Sequence, residues 1–149
     1  AIEVERQSSP LDSLRAAVTT LARFARDHRQ LLVRLVNDAI GGERVAIEFL
    51  QGNLPRHIGL LSNTIAAAQR EGLLRPVPPL QAFAFLVGAV AASMLIGSAV
   101  AESGLMPPPR EEQFAASILT DAAIDERVDM ALAGLALPLA KMTKSGARK

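Results

Sequence analysis

The chain has 149 residues, enough for one domain with a continuous core. Half are apolar but only 3% are aromatic, with five Phe and neither Tyr nor Trp, which favours helix over sandwich or barrel. Sixteen basic against fifteen acidic residues leave +1, too little to hold nucleic acid by bulk charge, and zero Cys excludes disulfides, thiolate chemistry and cysteine zinc sites.

Residues 1–9 read as the last turns of a helix that begins upstream. No signal-peptide pattern is present, so the expected location is cytoplasmic. Ser9 as N-cap, Pro10 at the first helical position and Asp12 in the first turn start a helix, with Leu11, Leu14, Val18, Leu21 and Ala25 on one stripe. Asp27 followed by Gln30 predicts a capping box for a second helix with the stripe Leu32, Leu35, Val36, Ala39 and Ile40, stopped by Gly41 and Gly42. A third helix over residues 43–70 directs Ile47, Leu50, Leu54, Ile58, Leu61, Ile65 and Ala68 inward. Pro55 in its middle predicts a kink or short break, because it removes a hydrogen bond from the Gln51 carbonyl. Glu71 and Gly72 end that helix, and the prolines of residues 75–79 make a rigid connector.

Residues 76–101 carry no charge over 26 positions, and Pro79 starts an apolar helix there. That is long enough to span a bilayer, but the neighbouring amphipathic helices need a core, and Trp and Tyr anchors are missing. Burial by its own bundle on one side and by a second copy on the other is the preferred reading. Ala89, Ser93 and Gly97 form a small-residue seam that lets backbones approach; packing within one chain is the alternative. Residues 110–137 form the last helical region, with a break expected at Thr120 and Asp121. A basic tail, residues 141–149, is expected to be disordered.

Chemistry is sparse. His28 reads as a solvated boundary residue, and His57 as a structural one. Neither has a partner at metal-ligand spacing, and no nucleophile elbow, phosphate loop or dinucleotide fingerprint is present. No cofactor or metal is called for, and no enzyme is indicated. Arg15, Arg23, Arg26, Arg29 and Arg34 read as a solvated face balanced by Asp12, Asp27 and Asp38. The carbonyl freed by Pro55, with Asn53 and His57 nearby, resembles the polar fixtures of an otherwise apolar pocket, a kink satisfied by water being as good a reading.

Four segments, FARDHRQLLVRLVNDAIGG (24–42), AAAQREGLLRPVPP (66–79), the apolar helix 80–101 and RVDMALAGLAL (127–137) with its Gly134-Leu135 pair, resemble the C-terminal regulatory domain of the tetracycline-repressor (TetR) family of transcriptional regulators. The resemblance implies an all-α bundle of about five to seven helices over residues 10–140 that dimerises through its last two major helices. It also implies a mostly apolar pocket for a small hydrophobic effector. DNA would be engaged only through a helix-turn-helix domain that cannot be read in this chain, residues 1–9 being the end of the linking helix. On this reading Phe85, Ala89, Ser93, Ile96 and Val100 face the partner, together with Ile118, Ala122 and Leu132. Leu21, Phe24, Leu35, Phe49, Asn53, His57, Phe83, Val87 and Met94 enclose the effector. A membrane-associated or structural helical module without a ligand is the alternative.

Overall fold

In the computed structural model, residues 9–137 are described, and they form an all-α bundle of seven α-helices with one π-helical turn. The order is α1 (Pro10–Asp27), α2 (Arg29–Ile40), α3 (Arg44–Arg70), α4 (Pro79–Val87), the π turn (Gly88–Ala92), α5 (Ser93–Glu102), α6 (Pro108–Ile118) and α7 (Asp121–Leu135). The expected segment at residues 1–8 and the basic tail lie outside the described residues.

The start of α1 is as read: Ser9 Oγ accepts from the Asp12 amide at 3.1 Å, with Pro10 in the first turn. The capping box is not formed. Asp27 is still inside α1 and its carboxylate accepts from Arg26 Nε at 2.9 Å, while His28 precedes α2 and offers no side-chain cap. One residue separates the helices, and the His28 amide still donates to the Phe24 carbonyl at 3.0 Å, so Asp27 has no extended turn in which to act as an N-cap.

α3 runs unbroken through Pro55 for 27 residues. Residues 51–57 are all exposed, so the Gln51 carbonyl deprived by Pro55 lies on a solvated stretch and the helix continues. Leu54 is correspondingly exposed rather than inward, and only Ala46, Leu61, Ile65 and Ala68 of this helix are fully buried. Gly72, at φ +73°, ends it in a Schellman turn: Leu73 N–H donates to the Ala68 carbonyl and Gly72 N–H to the Gln69 carbonyl, each at 3.0 Å. Gln69 Nε2 then donates to the carbonyls of Arg75 and Val77, and the Arg75 amide donates to the Leu135 carbonyl at 2.8 Å. With the antiparallel bridge between Leu74 and Ala136, this clasps the connector to the end of α7.

Residues 79–101 of the uncharged segment, with Glu102 after them, form one helical rod, Pro79–Glu102, with the π turn in its middle. Its buried row is Ala82, Leu86, Val90, Met94 and Ser98, spaced by four residues throughout. Four residues advance an α-helix by about 400°, so a strict four-residue row drifts about 40° per step and would leave the core within a few turns. The wider π turn takes up that drift and keeps one face inward. Of the expected interior face, Met94 is in the core and Phe83 and Ala91 pack against it, whereas Val87 is corrected: it is 41% exposed.

The break before α7 falls where expected, with Thr120 Oγ1 accepting from the Ala123 amide at 3.1 Å. The arginines of α1 are balanced mainly by α7. Arg15 pairs with Asp129, Arg23 with Asp125 at 3.2 Å and Asp121 at 3.6 Å, and Arg26 with Asp121 as well as Asp27. Asp121, Asp125 and Asp129 stand at i, i+4 and i+8, so one face of α7 meets one face of α1 as an antiparallel ladder. Arg26 also donates to the Leu119 carbonyl at 3.2 Å, which fixes the α6–α7 corner.

Hydrogen bonding by Arg26 holds the Asp121 carboxyl below its ordinary value. A group depressed in this way stabilises the fold above the unfolded carboxylate range, and that contribution is lost as pH falls through the folded value. Asp121→Asn is expected to lower the melting temperature slightly at neutral pH. In thermal melts the gap to the parent chain should close as pH drops below the carboxylate range, and shrink with added salt.

Candidate functional site

The nine residues expected to enclose a ligand are not brought together. Leu21, Phe83 and Val87 do meet, in a cleft of about 50 Å³ between α1, α3 and α4, with Val18, Ala22, Leu61, Leu86, Val90 and Ala91. Leu35 and Phe49 line a different space, an open groove of about 500 Å³ at the α2–α3 corner with Leu31, Asp38, Glu43, Val45 and Ala46. Met94 is fully enclosed by the core. Phe24 is 53% exposed and leans on the His28 ring, with centroids 4.4 Å apart.

The two polar fixtures fall away for one reason. Asn53 and His57 sit on the solvated stretch of α3, and Asn53 Nδ2 donates to its own helix, to the Phe49 carbonyl at 2.7 Å. No described group of His, Asp and Glu is arranged to hold a metal ion. The cleft wall that the sequence did not reveal is the row Leu86–Val90 with Val18 and Ala22. Its signal was the four-residue repeat in the uncharged helix.

The expected partner face divides similarly. Ile96 is 64% exposed, Phe85 46%, and Ala122 is also exposed, while Ala89, Ser93 and Val100 are half-buried. Leu132 is corrected: it is buried with Ile124, Val128, Ala131 and Leu135 on the core face of α7. Ile118 packs against the same core. The small-residue seam is partly filled from within the chain. The Phe114 ring of α6 occupies the space that a side chain at Gly97 would need, and the Phe85 ring rests on Gly134, where an added Cβ would lie 3.4 Å away.

What remains is the apolar rod, of whose most apolar 18-residue window 22% is buried within the chain; its exposed apolar positions lie over residues 80–88 and at Ile96. Leu80, Phe85 and Ile96 project from it. Arg127 of α7 has Nε and Nη2 enclosed without a hydrogen-bond partner, and desolvation pushes its pKa down.

No protein-family model matches the chain, and no curated protein or solved structure matches it either.

Gly97→Ala forces Phe114 to move. The helix-propensity gain of about 1 kcal/mol is opposed by an overpacking cost of about 1–3 kcal/mol, so net destabilisation of up to about 2 kcal/mol is expected in urea unfolding.

Proposed function

We propose that this chain is the effector-sensing and homodimerisation domain of a TetR-like transcriptional regulator acting in the cytoplasm. DNA contact would be supplied by a domain outside these 149 residues. The observation that carries the reading is the exposed, uncharged outer side of the Pro79–Glu102 rod, flanked by α7. A face with Leu80, Phe85 and Ile96 in water is an unfavourable surface for a monomer, and a second copy laid against it removes that surface. The resemblance of residues 66–79 and 127–137 to that family supports the same reading.

The effector reading rests on the cleft of Val18, Leu21, Leu61, Phe83 and Val90, whose lining is wholly apolar. At about 50 Å³ it is far below the roughly 300–1,000 Å³ of a drug-sized site. A hydrophobic effector would therefore bind with displacement of Leu21 and Phe83, and its preference for the widened state would be the signal carried to DNA.

A second reading draws on the same rod. At 24 residues it is long enough to cross a membrane, and a membrane-associated helical module would also leave its outer side apolar.

Light scattering of the chain at tens of micromolar tests the first reading: a dimer is expected, with an interface of upwards of about 1,200 Å². Ile96→Asp, at a position already exposed, should leave the helical content intact. It should weaken dimerisation by at least about a hundredfold through an unpaired charge at the contact. A monomeric parent chain overturns the dimer, and partition into detergent micelles favours the membrane module.

A further inference from the structure

A separate cleft lies at the far end of the rod. It has a volume of about 230 Å³ and opens between the start of α2, the last turns of α5, and α6. Ser98 lines it and is 6% exposed, and its Oγ is sealed from solvent with no hydrogen-bond partner. With that oxygen out of reach of a water-sized molecule, Ser98 forms the floor beneath the cleft rather than one of its polar contacts.

The walls carry both charges, and they are not spent on each other. Glu102 ends α5 and Glu111 lies in the first turn of α6; among the described residues neither has an ion pair or a side-chain hydrogen bond. Arg29 opens α2 and uses one guanidinium nitrogen, Nη1, on the Arg26 carbonyl at 2.9 Å, keeping its other N–H groups for a ligand. The dipoles of α5 and α2 follow this division, while the positive N-terminal end of α6 is offset by Glu111 in its first turn. The negative end of α5 lies at Glu102, and the positive end of α2, which no side chain caps, lies at Arg29. Phe114 and Leu119 supply the apolar part of the wall, and Gly97 is what lets the Phe114 ring lie so close to α5.

We infer that this cleft binds a small zwitterion with an apolar substituent, the chemistry of a free apolar α-amino acid. The ammonium group sits at the Glu102 and Glu111 pole. The carboxylate takes the remaining Arg29 donors at the α2 pole, and the side group packs on Phe114 and Leu119. A volume of 230 Å³ is too small for a drug-sized ligand, which needs roughly 300–1,000 Å³. The inference does not depend on dimerisation or on gene regulation, and its test reads binding alone.

The test is an amide NMR titration of the full chain with L-leucine, and with two half-ligands, isopentylamine and 4-methylvalerate. Leucine is expected to give saturable shifts at residues of α2, α5 and α6, and each half-ligand to bind at least about tenfold more weakly, the factor of one lost charge-assisted hydrogen bond. Glu111→Gln, at an exposed position, should weaken leucine and the amine by about tenfold and leave the acid unchanged; Arg29→Gln should do the reverse for the acid. Should Arg29→Gln fail to fold, Glu111→Gln alone decides. Absence of saturable shifts at about 10 mM leucine, an amine that binds as tightly as leucine, or unchanged affinity in Glu111→Gln overturns the inference.

Discussion

The constraint on which this bundle depends is the four-residue row Ala82, Leu86, Val90, Met94 and Ser98. Every other helix packs against the rod that carries it: α3 on its first half, α2 and α6 on its second, α1 and α7 alongside. A row of that spacing stays inward only if the helix is locally wider than an α-helix, and the π turn at Gly88–Ala92 provides the width. The position of both clefts follows. Phe83, Val87 and Ala91 flank the row on one side and close the small apolar cleft with α1 and α3, while Ser98, at the row's end, lies under the polar one.

The rod divides the protein into two kinds of surface. Inward, Leu, Val and Met meet the core without polar interruption until Ser98. Outward, the rod's exposed face is apolar, and the cross-helix ion pairs of the bundle lie elsewhere, on the α1–α7 ladder. Exposed pairs of that kind contribute little individually. Their value here is register, since three aspartates at four-residue spacing match arginines on an antiparallel neighbour and oppose a slip of α7 along α1.

How much of this was legible in the sequence depended on the range of the interaction involved. Signals contained within a few residues were readable: Ser9 with Pro10, the stop at Gly72, the break at Thr120, and the helical class itself. The Asp27–Gln30 pattern misled because a capping box needs an extended residue, and the α1–α2 corner leaves space for none. Sorting the rod's faces by an ideal 3.6-residue period put Val87 inside and missed Ala82, Leu86 and Val90. A π turn rotates the residues after it by nearly a third of a turn relative to those before it, so a face sorted on one half of the rod does not carry to the other, and nothing in Gly88–Ala92 announces it. For the site, Leu21, Phe83 and Val87 were found together, whereas Asn53 and His57 were misplaced because tertiary neighbours, not periodicity, decide whether a helix face is covered. The pairing of α1 arginines with α7 aspartates spans about a hundred residues, out of reach of any local pattern.

That separation bears on how the protein is made. The Arg75 amide bonds a carbonyl sixty residues further on, and Arg15 meets Asp129 only after 114 more residues have been added. A nascent chain that has exposed its first three helices therefore carries an arginine face without its α7 aspartates and a connector without its clasp. Helices nucleate locally and fast, but contacts this distant add loop-closure entropy, and they cannot form until the last helix leaves the ribosome. The uncharged rod emerges earlier than α7, so for that interval its inner face as well as its outer one is incompletely covered, a window in which association with other nascent chains or a chaperone competes with folding.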